Sequence, residues 1–162
     1  MDVTVRALTE DDYPAIISRV DLWWGRPVAG MLPRLFLRHF HRTSLVAVDE
    51  DDAIVGFLVG FLSPDVPDEA HTHFVAVSPE VRESGLGTLL YRRFFDIARE
   101  AGRSRVTAVV SPVNTVSQRF HQAVGFRAKP LPGQDSHDGT TPPVWPDWDG
   151  PGQHRTRFEY AL

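Results

Sequence analysis

Apolar residues recur along this chain with two periods, and the switches between them mark its elements. Val3-Thr4-Val5-Arg6 alternates and predicts a short first strand. Thr9 followed by Glu10, Asp11 and Asp12 signals a helix start, because carboxylates suit the positive end of a helix. Pro14 falls in the first turn, where it is tolerated, and Ile16, Ile17 and Val20 supply the apolar side. Trp23-Trp24-Gly25-Arg26-Pro27 reads as an interrupting loop. Helical spacing returns from Met31 to His41, with Leu32, Leu35, Phe36 and Phe40 on one side. Residues 44–48 and 53–62 are apolar runs around the acidic turn Asp49 to Asp52, which predicts a hairpin.

A loop from Ser63 to Glu69 leads into a third strand, His71 to Val77. Beyond it the period changes to that of a helix, with Leu90, Phe94, Ile97, Ala98 and Ala101 on one stripe and Gly102 as a stop. Arg105 to Val110 reads as a buried strand. Asn114 is a good N-cap for a further helix with Val116, Phe120, Ala123 and Val124 on one face, and Gly125 ends it. An extended run begins at Phe126, residues 128–153 form a long loop rich in proline and aspartate, and Arg155 to Tyr160 makes a last strand. This order predicts a mixed α/β fold in one domain, residues 1–162, without repeats.

The segment from Val75 to Thr88 carries the chemistry. A short strand, Val75-Ala76-Val77, meets a proline-marked turn, then Arg82-Glu83-Ser84-Gly85-Leu86-Gly87-Thr88 opens a helix. Glycines let a ligand approach the backbone closely, and the first amides of a helix lack internal partners. Together they make a phosphate cradle. A dinucleotide fingerprint needs a further glycine where Leu90 stands, and a P-loop needs a lysine that is absent. Arg82-x-x-Gly85-x-Gly87 after a strand resembles the acyl-CoA signature of the GCN5-related N-acetyltransferases. A second unit, Asn114, Ser117, Phe120-His121 and Gly125-Phe126, is similar to that family's later motif. The resemblance covers residues 44–126 well, the N-terminal segment loosely, and residues 128–153 hardly at all.

That resemblance implies a mixed, mostly antiparallel six- to seven-stranded sheet flanked by about four helices. It implies acetyl-CoA as co-substrate and direct attack by a primary amine in a ternary complex. The strand Val75-Ala76-Val77 would splay from its neighbour and pair with the pantetheine arm, the amides of Glu83 to Thr88 would hold the pyrophosphate, and Asn114 would bind the cofactor through its side chain. The family often places a tyrosine, the acid for the leaving thiolate, where this chain has His121. His121 is then a candidate acid or a ligand to the sulfur; otherwise it is a helix histidine with a local hydrogen bond. Some relatives carry a glutamate base at the position of His71. Strand alternation puts His71 and His73 on one face with Val75 and Val77, so either is a candidate base, or both are buried and hydrogen-bonded. His71, His73 and His121 could also gather zinc, but no acid or fourth histidine is placed to complete the set, and no metal is expected.

Trp23, Trp24 and Arg26 lie where the family walls its acceptor site. One tryptophan is expected on the core and one toward substrate, with Arg26 holding an anionic group or simply solvated. Asp135, Asp138, Asp147 and Asp149 would favour a cationic acceptor, or form an exposed acidic loop without a role, while Trp145 and Trp148 suggest that the loop folds back. The acceptor is expected to be a small-molecule amine, with a peptide amine as the variant. The alternative function is a non-catalytic acyl-CoA-binding sensor or interaction module.

Composition narrows these readings. The chain has 162 residues, enough for a sizeable core, and 42% are hydrophobic, which excludes disorder as the dominant state. A net charge of −4 argues against nucleic-acid binding, and the absence of cysteine excludes disulfides and thiol catalysis. No apolar run approaches a membrane span and Met1-Asp2 does not open a signal peptide, so a cytoplasmic protein is expected. A homodimer through the edge of the last strand or the long loop is a further expectation.

Overall fold

A computed structural model of the chain describes residues 2–134 and 141–162. Seven strands, β1 (Thr4–Ala7), β2 (Leu45–Val48), β3 (Ile54–Leu62), β4 (Glu69–Val77), β5 (Arg105–Val110), β6 (Arg127–Ala128) and β7 (Thr156–Ala161), form one sheet in the order β1-β2-β3-β4-β5-β7-β6. Every pairing is antiparallel except β4 with β5, which is parallel. A parallel pair cannot be closed by a tight turn, so a crossover helix joins it. That helix is α4 (Leu86–Glu100). The expected mixed, mostly antiparallel sheet is what the chain forms.

Each face of the sheet buries its own core. On one face α4 and α5 (Thr115–Val124) cover Leu58, Ala70, Val106, Ala108 and Phe158, with Leu90, Tyr91, Phe94 and Phe95 as the α4 contribution. On the other, α1 (Tyr13–Ile17), α2 (Val20–Trp24) and α3 (Arg34–Phe40) cover Val46, Phe57, Val59, Phe74 and Ala76. Among the described residues no helix is long and apolar enough to cross a membrane.

Four local expectations are corrected. The first helix is broken at Ser18-Arg19, and Trp23-Trp24 close α2 rather than standing in a loop, with Gly25 ending it. The third helix begins only at Arg34, because Pro33 in extended backbone precedes it. On α5 Phe120 and Val124 pack on the core as expected, but the fully buried residues are Gln118 and His121, and Val116 is 68% exposed. The last strand is not an edge at its centre, since β6 pairs with Phe158 and Glu159 of β7.

The turn into α1 is closed by Asp12. Its carboxylate accepts two hydrogen bonds from Arg6 (2.9 and 2.8 Å) and one from the Thr9 amide (2.8 Å). Burial works against ionisation of this carboxyl, but the Arg6 and Thr9 contacts prevail and hold its pKa below the ordinary value. Asp12→Ala leaves the Thr9 amide unpaired and is expected to destabilise the fold by about 1–2 kcal/mol. Urea unfolding at pH 7 checks this, and an unchanged midpoint would remove the role.

Candidate active site

β4 and β5 pair only from Glu69↔Arg105 to Thr72↔Ala108. β5 continues to Val110 beside β7, while β4 continues to Val77 beside β3. A wedge therefore opens between His73–Val77 and the end of β5. The Ser78 amide bonds to the Val55 carbonyl of β3 (2.8 Å). Backbone alternation then turns Ala76 and Phe74 toward β3, and Val75 and Val77 toward the wedge. Ala76 lines the cleft, yet its side chain is in the core and its backbone belongs to the β3 ladder.

The mouth of the wedge is a cleft of about 820 Å³. Arg82, Glu83, Gly85, Leu86, Gly87 and Thr88 form one lip, and Asn114, Val116, Ser117 and Phe120 the other. Among the described residues the amides of Glu83, Gly85, Leu86, Gly87 and Thr88 have no hydrogen-bond acceptor. Glu83 at φ 65° and Gly85 at φ 84° are both left-handed, which turns consecutive amides the same way. A glutamate held in that conformation is strained by roughly 1–2 kcal/mol, a cost that concentrates at ligand clamps. Gly87 is required by close approach, since a Cβ there would stand 2.8 Å from the Phe120 ring.

The other residues expected at the cofactor divide. Ser84 does not line the cleft, because its amide and hydroxyl both donate to the Val81 carbonyl (3.4 and 2.5 Å). Arg82 reaches across the cleft and donates to the carbonyls of Trp23 and Val77, tying the end of α2 to the end of β4. Asn114 Oδ1 accepts from the Ser117 amide (3.1 Å) as the α5 cap. Trp23 is buried against Phe57, while Trp24 is half-buried against Phe74 with Arg26 over its outer face. All three line this same cleft. Val113 (78% exposed) and Val116 stand uncovered at its rim, an apolar margin where a ligand with an apolar arm would lie.

His71 and His73 are not on the face of Val75 and Val77. The register with β3 slips between Val59↔Phe74 and Gly60↔Thr72, so His73 is an extra, bulged residue. Past the bulge the alternation is inverted. Val75 and Val77 pack on the α4 side, whereas both histidines lie on the α3 side. His73 stacks flat on Phe36 (3.9 Å between centroids), and its Nε2–H donates to the Met31 carbonyl (2.6 Å), which leaves Nδ1 as a lone-pair acceptor. His71 Nδ1 is 2.8 Å from Thr107 Oγ1. Burial lowers the pKa of both, that of His71 to about 4 with help from His73 and Arg157, so both are neutral at pH 7.

The two histidines line a second cavity, of about 400 Å³, that the motifs did not announce. Glu69, Thr107, Trp148, Asp149, Arg157 and Glu159 share it. One cue was available. Alternation along the last strand puts Arg155, Arg157 and Glu159 on a single face. The loop does fold back, with Trp145 bridging Arg155 and its indole N–H donating to the Lys129 carbonyl (3.0 Å). Among its described residues the acidic charge is spent locally. Asp149 pairs with Arg155 (2.7 Å), and Asp147 accepts from the Gly152 amide (2.7 Å). Asp135 and Asp138 lie outside the described residues.

His121 is placed in the core, 3% exposed, and not at the cleft. Its Nδ1–H donates to the Ser117 carbonyl (2.7 Å), and its Nε2 accepts from the Tyr91 hydroxyl (2.7 Å). Burial brings its pKa down to about 4, against the pull of the Ser117 carbonyl, so it is a neutral, fully engaged ring. The three histidines do not converge, and no group of three or more potential metal ligands occurs among the described residues.

The chain is 37% identical over 93 residues to an L-2,4-diaminobutyric acid acetyltransferase of Nocardia farcinica, covering 57% of this chain and 48% of that protein. It is 40% identical over 94 residues to the protein of the same name from Streptomyces coelicolor, covering 57% and 55%. The chain thus spans about half the length of these relatives. The fold matches YncA from Salmonella typhimurium, solved with its cofactor acetyl-CoA, at a TM-score of 0.70 and 20% identity over 100% of this chain and 95% of that one. The acetyltransferase (GNAT) family model matches residues 5–126, a span that takes in the wedge, the amide cradle and the capped α5, and the chain belongs to that family.

Proposed function

We propose that this protein moves the acetyl group of acetyl-CoA to a primary amine of a small molecule, by direct attack in a ternary complex. The carrying observation is the wedge between β4 and β5, with unpaired amides of the α4 N-terminus at its mouth. Bound there, acetyl-CoA would supply an acyl group on a leaving thiolate. The amides of Glu83, Gly85, Leu86, Gly87 and Thr88 would hold its pyrophosphate at the positive end of α4. The backbone of Val75 and Val77 would pair with the pantetheine arm, and the Val75 N–H would polarise the thioester carbonyl.

On the other side of the sheet, the second cavity would take the acceptor. His73 would receive the proton of the amine at Nδ1, because Met31 already holds its other nitrogen and the ring is neutral. His121 is assigned no part in the chemistry. A thiol with a pKa near 8.5 releases its thiolate without an acid, and His121 has both nitrogens engaged in the core. A cytoplasmic setting, where acetyl-CoA is made and used, belongs to the same proposal.

The test is release of free thiol from acetyl-CoA in the presence of an amine panel that includes 2,4-diaminobutyrate and peptides with free N-termini. Turnover with a small amine supports the reading. Turnover with peptides alone moves the acceptor to a polypeptide. Binding of acetyl-CoA without thiol release for any amine leaves a binding module. Acetyl-CoA at 100 times its Kd is expected to stabilise the fold by about 2.7 kcal/mol, visible as a thermal shift. Gly87→Val puts a branched side chain where Phe120 leaves no room for a Cβ. The overpacking is expected to cost the fold roughly 1–3 kcal/mol and, by displacing the first turn of α4 from Phe120, to weaken acetyl-CoA binding by about 10-fold or more. Calorimetric titration with a circular dichroism control checks this, and unchanged affinity would remove the cradle from the coenzyme site.

A further inference from the structure

We propose that Arg157 reads a carboxylate on the acceptor, so that the amine acetylated here belongs to an amino acid or a small derivative with a free carboxylate. This rests on the acetyl-transfer reading above and narrows it.

Arg157 stands on β7 opposite Val109 of β5, and both residues line the cavity of His71 and His73. Its guanidinium carbon lies 3.7 Å from the ring centre of Trp148 and 4.5 Å from that of Trp145. The two indoles meet at 77°, so the cation sits in a corner rather than in a parallel stack. Trp145 is anchored in turn by Lys129 and Arg155. Aromatic faces hold a guanidinium in place but leave its in-plane N–H groups to find acceptors elsewhere. Arg157 donates no hydrogen bond to any described residue, and among the described residues no carboxylate comes within 4.0 Å of it.

Its neighbours are differently placed. Arg155 is paired with Asp149, and Arg105 with Glu69 at 3.7 Å. Partial burial lowers the pKa of Arg157, opposed by the more distant Glu69 and Glu159. This cation is thus immobilised, partly desolvated and, among the described residues, unpaired, with a fork of donors that matches a carboxylate. Glu159 also lines the cavity and carries the opposite sign, as does Glu69, whose charge is shared with Arg105. An acceptor with an ammonium at one end and a carboxylate at the other meets complementary charge at both. A plain diamine leaves Arg157 unpaired, and a plain dicarboxylate faces two like charges.

The experiment compares acceptors in matched pairs: 2,4-diaminobutyrate with 1,3-diaminopropane, ornithine with putrescine, and lysine with cadaverine, each second member lacking only the carboxylate. The amino acids are expected to show kcat/KM about 10–100-fold higher, the usual strength of one charge-assisted pair. Arg157→Gln is expected to raise KM for the amino acids by that factor and for the diamines by far less. Arg157→Lys should restore part of the preference, because it keeps the charge without the fork. A purely structural role in seating the loop would move both classes of acceptor together. Titration of 2,4-diaminobutyrate and 1,3-diaminopropane onto the protein loaded with coenzyme A should show the same preference without turnover. Equal or better turnover of the diamines overturns the carboxylate assignment and leaves acetyl transfer standing. Absence of thiol release with every amine overturns both.

Discussion

His73→Ala is expected to lower kcat by about 10²–10⁴-fold, the usual contribution of a general base. His73 is the first residue of β4 beyond the last pairing with β5, two positions from Val75. A strand advances roughly 3.3 Å per residue, so His73 starts within about 7 Å of the amide proposed to polarise the thioester carbonyl. The bulge swings its ring to the face of the second cavity. The flat stack on Phe36 and the bond to Met31 fix the ring and its tautomer. Its pKa is lowered by burial, so it is available as a neutral acceptor across the physiological range. His71→Ala should cost less, because the lone pair of His71 is more weakly basic, with a pKa near 4. Steady-state kinetics over pH 6–9 test the assignment. In wild type the acid limb of the profile should lie below the ordinary histidine range, with the amine governing the rest, and in His73→Ala that acid limb should disappear. A kcat within twofold of wild type for His73→Ala would end the role and leave the amine to lose its proton to water.

Acid is expected to unfold this protein at a pH where most folded domains still hold. His71 and His121 have pKa values near 4 in the fold, against about 6.5 when unfolded. Above pH 6.5 neither state takes up these protons, and the contribution is fully present. As pH falls from 6.5 to 4 the unfolded chain binds them and the folded chain does not, so stability is lost through that window. At 1.36 kcal/mol per pH unit, each histidine accounts for about 3 kcal/mol, and the pair for roughly 6–7 kcal/mol. That is comparable with the whole stability of a typical domain, roughly 5–15 kcal/mol. Asp12, whose pKa is lowered, loses its share only at pH below the ordinary aspartate range, so the window belongs to the histidines. Urea unfolding at pH 7, 5.5 and 4.5 measures the slope. His121→Phe should reduce it by the share of one histidine, at a cost in stability at pH 7 because the Tyr91 hydroxyl loses its acceptor. A stability unchanged between pH 7 and 4.5 would contradict the burial of both rings.

Of the two places the sequence allowed His121, the fold takes the helix histidine with a local hydrogen bond. The motif around Asn114 locates α5 and its cap correctly, but a helix has several faces, and sequence spacing alone did not choose among them. Val116 and Phe120 look like the inner stripe because they are apolar. Val116 faces the cleft instead, where a ligand rather than the core is available to cover it, Phe120 lines the cleft while packing on the core, and Gln118 and His121 turn inward with their polar atoms satisfied. The same logic applies to the first helices. Their residues carry apolar periodicity, but Arg82, distant in sequence, ties down the carbonyl at the end of α2.

The sequence by itself determined most of the elements and their order, because the continuous apolar run of β3, the alternating burial of β5 and the stripe of α4 are local patterns set by burial on two faces or one. It also determined the cradle. Glycine positions and unpaired first amides are consequences of backbone geometry that need no distant partner. Only the tertiary structure decided the rest. One extra residue in β4 inverted the strand, sent His71 and His73 to the opposite face from Val75 and Val77, and joined them to Arg157 and Trp148 in a cavity. Those residues meet because β5 accepts β4 on one side and β7 on the other, and pairing between distant strands leaves no mark in local spacing.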